Sequence, residues 1–378
     1  MNPWGSPNNP WGSGAVPQRS MLPTGAPSAP ASTRPAGSVG RVLKGLLLIV
    51  GVFFCLIVLD KVMSDTSGTD TTPSVGYQSG TTSTAGSQSP STTMPPAQPV
   101  QPPPGGYQNA DYVVPDPNLN PPDLPMPNTY DEATDWMQNN SFYNQPIPVP
   151  VECQIPSIDP SSASTSQLQA YLNDAVACLM RVWGPQLEAA GYNAARPSVT
   201  VYTGQIQSPC GKMPDENALY CSADQQVYYA TDLPDLFPGR TSDPMVPVAV
   251  IAHEFGHAIQ AQSGILYSET AWQQADSDNG DDASANDLSR RTEQQADCFA
   301  GAFLQSISQS AGITPDEQSA LGQVFYSLGD DVLTGDPNID GDHGWGAHRL
   351  NWLNTGLGAQ VAGNCNTFAS SVTDDQVR

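Results

Sequence analysis

Gly45 to Leu59 (GLLLIVGVFFCLIVL) is an uninterrupted apolar run of 15 residues, and it constrains the architecture of this chain more than any other stretch. Extended to 42–63 it covers 22 residues, with Lys44 and Lys61 placed to snorkel their ammonium groups into lipid headgroups. At about 1.5 Å per residue this makes roughly 33 Å of helix, enough to cross a hydrocarbon layer about 30 Å thick. The sequence therefore predicts a single transmembrane helix at 42–63. A cleaved secretory signal competes for the same residues. Against it stand the polar stretch of 44 residues ahead of the run and the lack of a small-x-small site after Leu59. Val52, Phe53 and Phe54 before Cys55 do not form a lipoprotein attachment site either. Arg19, Arg34, Arg41 and Lys44 precede the run without an acid, which orients the N-terminus to the cytoplasm. The expectation is a single-pass cell-membrane protein with its folded part extracytoplasmic.

Charge divides along the same line. Residues 1–61 hold five basic side chains against Asp60, a net of +4, whereas the other 317 residues hold 8 basic and 36 acidic, a net of −28. No Lys or Arg occurs between Val62 and Met180. So acidic a field repels phosphate backbones and excludes nucleic acid as a partner of that part. Residues 1–41 are rich in Pro, Gly, Ser and Asn, repeat NPWGS at 2–6 and 9–13, and read as a disordered cytoplasmic tail. Residues 64–128 are Ser/Thr/Gly-rich and then Pro-rich, which reads as a disordered stalk spanning roughly 45 Å as a coil.

One folded domain is left, at 129–378. It holds six of the seven cysteines: Cys153, Cys178, Cys210, Cys221, Cys298 and Cys365. An even number in an oxidising compartment reads as up to three disulfides, with Cys210 and Cys221 the readiest pair across CGKMPDENALYC. No CxxC pair exists, so a cysteine-held metal is not expected. Ser166–Ala190 has helical spacing, is capped at Ser164 or Thr165 and stops at Gly191. Ser198–Tyr202 and Gln226–Ala230 alternate as strands, and helices follow at about 246–262 and 289–308. Helix, strands and two further helices make an α+β domain.

The two later helices carry the chemistry. His253-Glu254-Phe255-Gly256-His257 is HExxH, which puts two imidazoles one helical turn apart on one face, within reach of a single ion. Glu254 is one residue off that face, suited to deprotonate a water polarised by the metal rather than to bind it. With 4 His and 8 Glu in the chain, chance yields roughly one such match per thousand chains of this kind, so the motif is informative. A catalytic zinc takes three protein ligands. Gln260 and Ser263 stand where HExxHxxGxxH needs Gly and His, so a third nearby histidine is excluded. Glu293 is the candidate third ligand, and Asp297, one turn on, the acceptor that orients one histidine's free N–H. Both acids continue the apolar face of Ala296, Phe299, Ala300, Phe303, Leu304 and Ile307. Two alternatives compete: the acids pair with Arg290 or Arg291, or Glu269 is the ligand.

HEFGHAIQ, RTEQQADCFAG and DHGWGAHRLNW together resemble the three signatures of the bacterial neutral zinc metallopeptidases, over about Ser198 to Leu357. The EQQAD spacing is also similar to the ExxxD element of thermolysin-like gluzincins. The resemblance implies a zincin-type fold, one zinc per chain on His253, His257 and Glu293, Glu254 as general base, and a peptide or protein substrate. It also implies a transition-state role for His343. Two departures stand out: Ala258 replaces a histidine usual after HExxH, and His348 precedes Arg349 where a Gln-Arg pair is usual. The second leaves open whether His343 or His348 faces the substrate. From the residues themselves, either imidazole could donate to an oxyanion near neutral pH.

Asp276–Asp287 and Asp336–Asp342 are acid-rich and invite a calcium reading against the ordinary one of solvated loops; an EF-hand is excluded, since Ala347 stands where its terminal Glu belongs. The functional expectation is a membrane-anchored zinc endopeptidase whose QVYYA strand (226–230) pairs with an extended substrate. The competing class is a non-catalytic, zinc-stabilised surface-binding module.

Overall fold

The computed structural model describes residues 103–378. The predicted membrane helix at 42–63, the tail before it and 64–102 lie outside the described residues; among those described, no helix is long and apolar enough to cross a membrane.

The first long helix owes its start to its cap. The Ser164 hydroxyl accepts the Gln167 N–H at 3.3 Å, and Gln167 Oε1 accepts the Ser164 N–H at 3.0 Å. This reciprocal pair satisfies donors that a helix N-terminus leaves orphaned. The helix, α2 (Thr165–Ala189), follows a short α1 (Tyr130–Gln138) and buries Leu168, Leu172, Ala175, Leu179 and Val182. Strands β1 (Val199–Tyr202), β2 (Gln207–Ser208), β3 (Gly211–Lys212), β4 (Ala218–Cys221) and β5 (Gln226–Ala230) follow. The main sheet has the order β1-β5-β4, with β5 parallel to β1 (Val199 beside Val227) and antiparallel to β4 (Tyr220 beside Val227).

That order corrects one expectation. QVYYA is the central strand, paired on both sides, and cannot hold a peptide; the edges are β1 and β4. Asn173 and Gln169 of α2 accept the outward N–H groups of β1, which leaves β4. Alternation reports which face of a strand is buried, and it carries no information about neighbours. The β2–β3 hairpin covers the sheet's other face with a small core of Tyr202, Met213 and Tyr228 around the Cys210–Cys221 disulfide.

Below the sheet lies α3 (Met245–Gln262), buried nearly all round. A turn at Gly264 (φ 80°) leads into α4 (Ile265–Asp278) and then α5 (Asp282–Ala311). The acid-rich stretch 276–287 is thus a helical corner rather than a loop. Asp281 caps α5 by accepting the Ser284 N–H, and Asp282 in the first turn complements the helix dipole. α6 (Pro315–Ser327), α7 (Asp330–Thr334) and α8 (Gly346–Leu357) complete the helices. Helices α5 and α8 touch backbone to backbone: a Cβ on Gly301 would lie 2.1 Å from Leu353 O, and one on Gly356 1.9 Å from Cys298 O. Phe142, Trp183 and Phe299, with ring centroids 5.7–5.9 Å apart, fill the centre between α2 and α5.

Disulfides join Cys153 to Cys178, Cys210 to Cys221 and Cys298 to Cys365. A second correction concerns 103–128, expected as stalk. These residues lie on the domain as an extended strap. The strap is held by Gln108 N–H to Pro150 O, Asn118 N–H to Arg196 O, Arg196 Nη1 to Pro115 O and Gln225 Nε2 to Pro122 O. Tyr112, Val114 and Leu124 pack against the core. These four bonds tie strap backbone groups to the domain without help from a helix or a strand ladder, so the strap needs no helical or strand periodicity.

Candidate metal centre

His253 and His257 leave α3 on the same face, and their Nε2 atoms lie 3.2 Å apart. α5 crosses close by because residue 256 is glycine: a Cβ there would lie 2.8 Å from Ala296 Cα. One turn before Ala296, Glu293 sets Oε2 3.2 Å from His253 Nε2 and Oε1 3.4 Å from His257 Nε2. The three residues form a group of donors all within 4.8 Å of one another. Tetrahedral zinc with ligands at about 2.0–2.1 Å separates ligand atoms by roughly 3.3 Å, so these spacings fit. Glu293 Oε2 is moreover buried without a hydrogen-bond partner, as suits an atom reserved for a cation.

The outer nitrogens are engaged. His253 Nδ1 lies 2.8 Å from Asp297 Oδ1, and His257 Nδ1 2.8 Å from Gln260 Oε1. Both Nε2 lone pairs therefore face inward. Asp297 is clamped in turn by Arg349, through Nε at 2.9 Å and Nη2 at 2.8 Å. Burial opposes charge on all these groups, and pairing wins. With no cation between them, Asp297 and Glu293 outweigh burial and hold His253 protonated, at a pKa of about 9; a bound cation takes the place of the Nε2 proton. Glu293 stays well below the carboxylate range because the two histidines outweigh its own burial. Asp297 stays below it through Arg349 and then His253.

Neither competing arrangement of the acids occurs. Arg290 pairs with Asp340 and Asp287, and Arg291 with Asp287 and Asp374. Glu269 is buried outside the ligand group, and its burial pushes the carboxyl up to about 8. Glu254 is buried beside the pair of histidines, and its Oε2 accepts the Tyr220 N–H of β4 at 2.8 Å. In an antiparallel pair alternate residues turn their backbone groups outward, and Ala230 N–H bonds to Asn217 O. Tyr220 and Ala218 therefore present theirs to the free edge, beside the metal centre.

His343 and His348 separate in space. His343 is mostly buried, with Nδ1 2.7 Å from Asp342 Oδ1 and 3.3 Å from Asp330 Oδ1. These two acids hold it charged, well above the usual imidazole range against its burial, and it is near enough to Glu293 to lower that carboxyl. His348, in the first turn of α8, lies edge-on to Trp345 with ring centroids 5.9 Å apart. In the 336–342 loop Asp340 is committed to Arg290, and Asp336 accepts the Asn338 N–H within its own turn.

Sequence reasoning missed Gln260, Arg349, the Tyr220 amide and Phe325, whose ring lies 6.3 Å from that of His253. Only Arg349 left a signal: a lone arginine on the otherwise apolar inner face of GAHRLNWL needs a buried acid.

The family described as "Putative neutral zinc metallopeptidase" matches residues 145–368, well over half of the chain. The chain belongs to this family. Within it, the chain is 32% identical over 228 residues to the uncharacterized protein YpfJ of Escherichia coli (strain K12), covering 57% of this chain and 75% of that protein. It is 30% identical over 210 residues to the uncharacterized protein Rv2575 of Mycobacterium tuberculosis (strain ATCC 25618 / H37Rv), covering 50% and 67%. No solved structure matches at a significant level. Both zinc-metallopeptidase signatures on α3 and α5 fall inside the matched range.

Proposed function

We propose that the chain is a zinc-dependent endopeptidase, anchored by residues 42–63 with its domain outside the cytoplasm. The observation that carries the reading is the set of three donor atoms from His253, His257 and Glu293, at separations of 3.2 and 3.4 Å that suit one small cation. Family membership supports zinc and a peptide or protein substrate. The apolar run and three disulfides support the anchored, extracytoplasmic location.

When bound, zinc supplies a Lewis acid that polarises the scissile carbonyl and acidifies water. The chain's own groups do the rest. Glu254, steered by the Tyr220 N–H, takes the proton of the attacking water and later delivers it to the leaving amine. His343, kept charged by Asp330 and Asp342, donates to the oxyanion that develops on the carbonyl. The outward N–H and carbonyl of Ala218 and the carbonyl of Tyr220, whose N–H is taken by Glu254, hold an extended substrate by strand addition.

Glu254→Gln tests this in the full-length protein. Stoichiometric zinc and an unchanged unfolding midpoint are expected, with cleavage of a fluorogenic peptide library lost. Equal behaviour of mutant and parent in every assay would instead favour the binding-module class.

A further inference from the structure

We infer that Gln260 is a positioning residue: a chain of buried amides fixes which ring nitrogen of His257 carries its proton. The inference rests on the metal-centre reading above. Gln260 is fully buried, with Oε1 2.8 Å from His257 Nδ1 and Nε2 2.7 Å from Thr292 O and 3.2 Å from Gln295 Oε1. A side-chain amide donates only through nitrogen and accepts only through oxygen. The Thr292 carbonyl can only accept, so the Gln260 nitrogen must face it. Its oxygen is then left for His257, whose Nδ1 must be the donor, and the imidazole keeps its Nε2 lone pair for the metal.

The chain continues outward in the same sense. Gln295 accepts from Gln260 and donates through Nε2 to Cys365 O at 3.1 Å and to the Tyr143 hydroxyl at 3.0 Å. Tyr143 donates to Met137 O at 2.9 Å. Each amide thus ends on a main-chain carbonyl, which has no alternative role. Inverting either one would set acceptor against acceptor among fully buried groups, leaving each without a partner. The two histidines therefore reach the same tautomer by different means, His253 through a carboxylate and His257 through a neutral amide.

Gln260→Met keeps the length and removes both functions. In the full-length protein, competition against a chromophoric chelator is expected to show a 10–100-fold weaker zinc Kd. A parent that binds zinc and a variant that matches it within threefold would overturn the inference and leave the metal centre standing. So would a variant that merely lowers the unfolding midpoint of the zinc-free protein. A parent that binds no zinc would overturn both. Long-range proton–nitrogen spectra of the zinc-loaded parent decide the matter even if the variant does not fold. A slowly exchanging proton on His257 Nδ1 is expected; its absence from that nitrogen refutes the assignment.

Discussion

Removing Arg349 should separate the stability of this fold from its affinity for metal. Arg349 and Asp297 are 1% and 0% exposed and joined by two hydrogen bonds at 2.9 and 2.8 Å, with Arg349 Nη1 donating to Leu328 O at 3.1 Å. In Arg349→Met the carboxylate loses its counter-ion while remaining buried. Breaking a buried pair from one side costs about 3–5 kcal/mol, because an uncompensated charge is left behind. Burial then acts on Asp297 against His253 alone, and a protonated Asp297 is a poorer acceptor for His253 Nδ1. Zinc affinity should fall 10–100-fold, about 1.4–2.7 kcal/mol. The double variant Arg349→Met/Asp297→Leu replaces the pair by apolar groups, which is commonly near-neutral for stability. It should recover most of the unfolding free energy and none of the zinc affinity. Urea unfolding with a chelator present and the disulfides intact measures the first quantity, and chelator competition the second. A loss under about 1 kcal/mol in the single variant, or restored zinc binding in the double, would refute the reasoning.

Other perturbations follow from the same geometry. Asp342→Asn removes the nearer acid on His343; since that histidine is charged below its raised pKa and loses its proton above it, the basic limb of the activity profile should move to lower pH. Glu269 has a raised pKa of about 8, so the fold retains a proton that the unfolded chain releases from about pH 4.5 upward. Stability should fall with pH across that window, and Glu269→Gln should gain about 3 kcal/mol at pH 7 and little at pH 4, read by urea midpoints at both pH values. Gly256→Ala would drive a Cβ into Ala296 and push α5, with Glu293, away from the histidines. Overpacking of about 1–3 kcal/mol should exceed the roughly 1 kcal/mol gained in helix propensity, and zinc affinity should drop as well.

The parts legible in the sequence are those governed by short-range periodicity. The spacing of His253, Glu254 and His257 in an apolar stretch, and of Glu293 and Asp297 along the face of α5, needs only helical geometry. Ser164 announced the start of α2 because a cap is a local event. What was missed depends on distant neighbours. Whether β5 is a central or an edge strand is decided by pairing, and β4 and β5 are alike in being buried at nearly every position. Gln260 sits among apolar residues like any buried amide, and its nearer acceptor is a main-chain carbonyl, a group identical in every sequence. The acidic corner at 276–287 looked like a loop because Asp and Asn dominate it, although the same residues serve as helix ends and caps. The strap at 103–128 has a composition that favours extended chain, and composition does not say whether a surface receives that chain.

That strap has a practical consequence for anyone isolating the folded domain. A fragment begun at Thr129 would strip Tyr112, Val114 and Leu124 from the surface they cover and leave the Gln225 and Arg196 donors without their carbonyl partners. Such a truncation should yield a sticky, poorly behaved product, whereas a boundary ahead of residue 103 keeps the seal in place. Because the strap is clamped to the body, the reach of any upstream tether must be counted from residue 103, not from where the first helix begins.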